Sequence, residues 1–79
     1  MRATVLVRPK HGILDPQGEA VETALEHLGF AVSSARVGKI VDLDVEADDP
    51  EQARAEVEKM CVQLLANPLM ESFEVEIHG

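Results

Sequence analysis

The sequence predicts a ferredoxin-like α+β fold of order βαββαβ, an antiparallel sheet with two helices on one face. Three observations carry this reading. Short β-rich runs bounded by glycine, proline or asparagine recur along the chain. Asp15-Pro16 and Asp49-Pro50 each precede a stretch with apolar residues at helical spacing. The two kinds of segment then alternate strand, helix, strand, strand, helix, strand within 79 residues.

Residues 2–8, Arg-Ala-Thr-Val-Leu-Val-Arg, are β-branched and apolar in the middle and read as the first strand. Residues 9–14 follow as a loop, because Pro9 cannot donate to a ladder and Gly12 permits a turn. Asp15 takes the N-cap position and Pro16 the first helical one, where its missing N–H would have no partner. Ala20, Val21, Ala24, Leu25 and Leu28 form one apolar stripe, with Glu19, Glu22 and Glu26 largely opposite and Gly29 as the left-handed stop.

Residues 30–37 read as a second strand, Gly38-Lys39 as a short connection, and residues 40–47 as a third strand. In the third, Val41, Leu43, Val45 and Ala47 alternate with Ile40, Asp42, Asp44 and Glu46, so one face is buried and the other largely wet. Asp49-Pro50 with Gln52 repeats the helix start as a capping box. Ala53, Val57, Met60, Cys61, Leu64 and Leu65 form the second amphipathic stripe. Asn67 and Pro68 end it, and a last strand points Phe73, Val75 and Ile77 inward against Glu74, Glu76 and His78 outward.

Residues 1–79 are expected to form a single domain, with no linker or repeat. A chain this short buries only about 60% of its unfolded surface, so the monomer is marginal. Cys61 is the only cysteine, which excludes an intrachain disulfide and suits a reducing cytoplasm. His11, His27 and His78 are too scattered for a four-ligand zinc site. The remaining source of stability is a partner or a second copy, and Leu6, Ile40 and Met70 on the uncovered sheet face are groups that a homodimer would hide.

The net charge of −8 is unevenly placed. Residues 1–40 hold five basic side chains against four acidic ones, whereas residues 41–79 hold two against eleven. The acidic half argues against nucleic acid, and with Phe30 and Phe73 the only aromatics there is no platform for stacking bases. No apolar run is long enough for a membrane span.

Little in the chain reads as catalytic. Asp42 and Asp44 share a strand face and could act as acid and base or hold Mg²⁺, yet Glu46 continues the row and a solvated acidic face accounts for all of them. Cys61 lies on the apolar helical stripe, where a small thiol is packing material rather than a nucleophile. His11, after Arg8 and Lys10 in the loop before the first helix, could meet a phosphate or a carboxylate, or could be an exposed loop histidine. Lys39, in a turn beside Gly38, could reach a partner or be solvated.

The combination of segments is more specific than any one of them. Val5-Leu6-Val7-Arg8-Pro9-Lys10, then Gly12-Ile13-Leu14-Asp15-Pro16-Gln17-Gly18, resembles the opening of PurS, the family of small subunits of phosphoribosylformylglycinamidine (FGAM) synthase. The resemblance continues through Leu25, Leu28-Gly29-Phe30, Val37-Gly38-Lys39, Cys61 and Leu64-Leu65-Ala66-Asn67-Pro68 with Glu71. It implies a subunit of an ATP-dependent ligase of purine biosynthesis, converting FGAR to FGAM with glutamine as nitrogen donor. In that family a glutaminase, PurQ, releases ammonia, and a synthetase, PurL, binds ATP and Mg²⁺ and consumes it. The small subunit is an adaptor joining them, a homodimer or a tetramer, cytoplasmic, with no catalytic residue, metal or cofactor of its own. Arg8, Lys10, His11, Gly12, Asp15, Gln17, Gly18 and Lys39 fall on the matching loops and are the expected partner-binding set. A dimeric module that binds a small regulatory molecule is the alternative. An acylphosphatase-like hydrolase is a weaker one, because no phosphate-loop motif surrounds Arg8.

Overall fold

A computed structural model describes residues 1–78. The elements run β1 (Arg2–Pro9), α1 (Pro16–His27), β2 (Lys39–Asp44), α2 (Pro50–Met60), a π-helical turn (Cys61–Leu65) and β3 (Glu71–His78). The strands form an antiparallel sheet of order β2-β1-β3, so the first strand in sequence is the central one. This is the ferredoxin-like α+β arrangement expected from the sequence, with two differences of detail.

The first difference lies in residues 30–37, which join no ladder. Their backbone is held by a side chain instead: the Val37 N–H donates to Asp15 Oδ2 at 2.9 Å. The run is β-branched enough to look like a strand, but strand propensity measures fit to a sheet surface, and this segment has none beside it. The second difference is α1. Helix α2 packs on the sheet against β3 and β1, whereas α1 has no comparable seat. Its stripe stays largely in the open, with Ala20, Val21, Ala24 and Leu28 exposed and Leu25 half-buried.

Both helices start as their sequences direct. Asp15 accepts from the Gly18 N–H at 3.1 Å, and Asp49 accepts from the Gln52 N–H at 2.8 Å. Helix α1 stops at Gly29, whose φ of +95° is open to glycine at no steric cost.

Alternation decides the core. Ala3, Val5 and Val7 of β1 are buried, and Val41 and Leu43 of β2 and Phe73, Val75 and Ile77 of β3 pack beside them. Helix α2 contributes Ala53 and Val57, followed by Cys61 and Ala66. Met60 and Leu64 were expected on the same stripe, but both are exposed, Leu64 to 83%. For Leu64, which lies within it, the cause is the π-helical turn, closed by the Ala66 N–H donating to the Cys61 carbonyl at 3.0 Å. Its wider winding advances the chain by an extra residue, so Leu65 and Ala66 turn inward where a regular helix would present Leu64.

Candidate functional site at the end of the sheet

The two motif loops converge at one end of the sheet. The loop after β1 and the loop before β3 are joined by the Lys10 N–H donating to the Met70 carbonyl at 2.9 Å and by Lys10 Nζ donating to the Pro68 carbonyl at 2.7 Å. The second loop is ordered from within: the Asn67 N–H donates to Glu71 Oε1 at 2.8 Å, and Asn67 Oδ1 accepts from the Leu69 N–H at 3.0 Å. Asn67 therefore shapes the loop whose carbonyls hold Lys10, as well as ending a helix.

A groove of about 1020 Å³ opens beside these loops. Arg8, Pro9, Lys10 and His11 line one side, Gly38, Lys39 and Ile40 another, with Leu6, Val7, Arg36 and Ser72 completing it. Of the expected set, the structure brings Arg8, Lys10, His11 and Lys39 together here. Gly12 and Asp15 line a shallower hollow next to it with His11 and Arg36, while Gln17 flanks Asn67 and Met70 on the far side of Asp15.

Asp15 is the joint of this end. One carboxylate oxygen caps α1 and the other holds Val37, tying the first motif to the segment that leads into Lys39. The Val37 and Gly18 amides, with a smaller contribution from Arg36, keep its carboxyl below the usual carboxylate range. Gly18 is buried against the same segment, and a Cβ there would overlap the Ala35 carbonyl oxygen. Gly38 lies equally close to the Val7 carbonyl oxygen, so a side chain at 38 would push the turn off the sheet. Gly12 has a φ of +80°, which lets the loop turn tightly after His11.

Arg36 is a groove-lining residue that the sequence did not single out. Its guanidinium donates to the Pro9 carbonyl at 2.9 Å, to the Lys10 carbonyl, and to His11 Nδ1 at 3.0 Å. Arginine can only donate, so His11 Nδ1 is the acceptor in this contact. No motif could have flagged Arg36, a lone arginine in a run that reads as a strand. Arg8, at the end of β1, pairs with Glu74 at 3.3 Å across exposed surface.

Among the described residues, no hydroxyl or thiol at this end of the sheet is hydrogen-bonded to a histidine or carboxylate. Burial pushes the Cys61 thiol up, with Glu58 adding to the effect, and Cys61 lies in the core rather than in the groove. Among the described residues no group of three or more His, Cys, Asp or Glu could hold a metal ion, and no helix is long and apolar enough to cross a membrane.

Fold and geometry thus define a small α+β domain in which two loops converge beside a basic groove at one end of the sheet. Comparison with known proteins gives that class a particular family. The family profile described as PurS, phosphoribosylformylglycinamidine (FGAM) synthase, matches residues 2–79. The phosphoribosylformylglycinamidine synthase subunit PurS of Methanocaldococcus jannaschii is 38% identical over 77 residues, covering 96% of this chain and 93% of the relative. That of Synechocystis is 43% identical, covering 96% of this chain and 75% of the relative. Among solved structures, Bacillus subtilis PurS superposes with a TM-score of 0.87 at 35% identity, covering 99% of this chain and 98% of the other. A chain of PurLQS from Thermotoga maritima superposes with a TM-score of 0.86 at 38% identity, covering 95% of this chain and 93% of the other. The chain belongs to the PurS family.

Proposed function

We propose that this chain is the adaptor subunit of FGAM synthase, joining a PurL-type synthetase to a PurQ-type glutaminase in the cytoplasm so that ammonia passes from one to the other. The observation that carries this reading is the near full-length match to PurS subunits, including a chain of a solved PurLQS structure. The reaction consumes ATP and glutamine in making FGAM. ATP and Mg²⁺ belong to the synthetase, and this chain supplies neither a catalytic residue nor a cofactor site.

The physical need for such a subunit is positional. Ammonia released into water protonates and loses its nucleophilic lone pair, so the two active sites must be held in register and screened from solvent. A small rigid body fixed to both partners supplies that by proximity. Within the single domain, Arg8, Lys10, His11 and Lys39 present the contact surface, and Gly12, Asp15, Gln17 and Gly18 set its geometry.

The working form is a homodimer, or a tetramer built from it. Helix α1 supports this, since its stripe leaves Leu28 73% exposed with no element of its own chain across it. Replacing Lys10, His11 and Lys39 together by alanine is expected to impair assembly with the two larger subunits and glutamine-driven turnover. Intact assembly and turnover in that variant would remove the residue assignment while leaving the adaptor reading in place.

A further inference from the structure

Four of the chain's seven lysines and arginines, Arg8, Lys10, Arg36 and Lys39, line one groove, and no carboxylate lines it. On a chain of net charge −8 this is a strong local reversal. A concave site focuses such a field more than a convex surface does. The cations differ in what they have left to give. Arg36 is committed to two backbone carbonyls and His11, Lys10 to the Pro68 carbonyl, and Arg8 partly to Glu74. The Lys39 side chain makes no hydrogen bond or ion pair among the described residues, although its backbone pairs with Val7 in the ladder.

The floor of the groove is apolar. Leu6 of β1 and Ile40 of β2 lie opposite one another in the ladder, and Ile40 is 66% exposed. The groove also opens at the edge of the sheet, because β2 is an outermost strand and its far side has no strand neighbour. Cations around an exposed Ile40 on the edge strand, with the half-buried Leu6 of the central strand beside it, suit an extended chain bearing carboxylates and an apolar side chain.

Other occupants fit less well. A nucleotide would want an aromatic for its base and a free helix start or amide cradle for its phosphate, but the chain's aromatics, Phe30 and Phe73, do not line the groove, and the α1 start is taken by Asp15. Nucleic acid is disfavoured by the charge of the whole chain.

Resting on the adaptor reading, we propose that this groove docks an acidic segment of the partner polypeptide, its carboxylates against Lys39, Arg8 and Lys10 and an apolar side chain on Leu6 and Ile40. The partner's charges find here a basic patch that the rest of the surface does not offer, which aligns the two bodies as well as attracting them.

The test uses the full chain with its synthetase and glutaminase subunits, and measures complex affinity over a range of sodium chloride for the wild type, Lys39→Gln and Lys39→Glu. The expected result is a wild-type affinity that falls with salt, a shallower fall for Lys39→Gln, and about a tenfold or greater loss for Lys39→Glu. Thermal melting and sedimentation should show the folding and self-association of both variants unchanged. Unaltered affinity and salt dependence in both variants would overturn the proposal. Loss of self-association in Lys39→Glu would also overturn it, assigning the groove to a second copy. So would a Lys39-dependent rise in melting temperature with inorganic phosphate and no change in complex affinity, which marks a small-anion site. Failure of the adaptor reading shows separately, as wild-type protein that neither binds the two subunits nor supports glutamine-driven synthesis.

Discussion

Asp15 shows how one side chain can serve fold and site together. Its two oxygens join the start of α1 to the segment before Lys39, so losing the charge loosens both. Its carboxyl is held below the usual value by the hydrogen bonds it accepts. The stabilisation is therefore present above the unfolded carboxylate range near 4 and is lost only as pH falls through the lowered folded value. Chemical shifts of the Gly18 and Val37 amides should stay constant from neutral pH down through that range and move together below it. In Asp15→Asn the concerted step should vanish. Gly18 is the matching steric constraint: Gly18→Ala drives a methyl into the Ala35 carbonyl and should cost about 1–3 kcal/mol in urea unfolding, where an ordinary helix position would gain from alanine. The Asp-Pro start announced the cap in the sequence. The second duty of Asp15, to Val37, could not be read there, because it joins residues 22 positions apart.

At the scale of elements, periodicity was a good guide wherever a segment touches the sheet and a poor one elsewhere. The alternation in β2 and β3 sorted inward from outward residues correctly, as did Ala53, Val57 and Cys61 along α2. The pattern misled after Met60, since nothing local announces a π-helical turn, and Leu64 was assigned to the core although it faces water. The two positions give a direct comparison. Val57→Ala should destabilise by about 2 kcal/mol, because a fully buried side chain is cut back. Leu64→Ala should change stability of the isolated chain by less than about 0.5 kcal/mol. Equal losses at the two sites in denaturant melts would contradict the π-turn geometry. Residues 30–37 failed as a strand for a related reason: propensity names a candidate, and a neighbouring edge has to accept it. With that strand misread, Arg36 had no visible role, although it holds the basic loop in shape.

The whole molecule is long for its size. Its radius of gyration is 15.7 Å, against about 12 Å for a compact chain of this length, and its extents are 50 × 25 × 14 Å. The excess reflects α1 standing away from the sheet with its apolar stripe uncovered. A chain with a core made largely of valine and alanine has little stability to spare for such an arm, and covering it is the clearest gain available from a second copy. Val21→Asp with Leu28→Asp should convert the oligomer to monomer in sedimentation equilibrium and lower the melting temperature. The double variant remaining a full oligomer would place the interface elsewhere.

The central claim is that the chain couples two active sites and catalyses nothing itself. The measurement that tests it most directly is reconstitution with the matching synthetase and glutaminase subunits, following FGAM formation from glutamine and, separately, from ammonium. The account predicts that glutamine-driven synthesis requires this chain and that ammonium-driven synthesis does not. Equal glutamine-driven rates with and without the chain would contradict it and leave a small-molecule regulatory module as the better description.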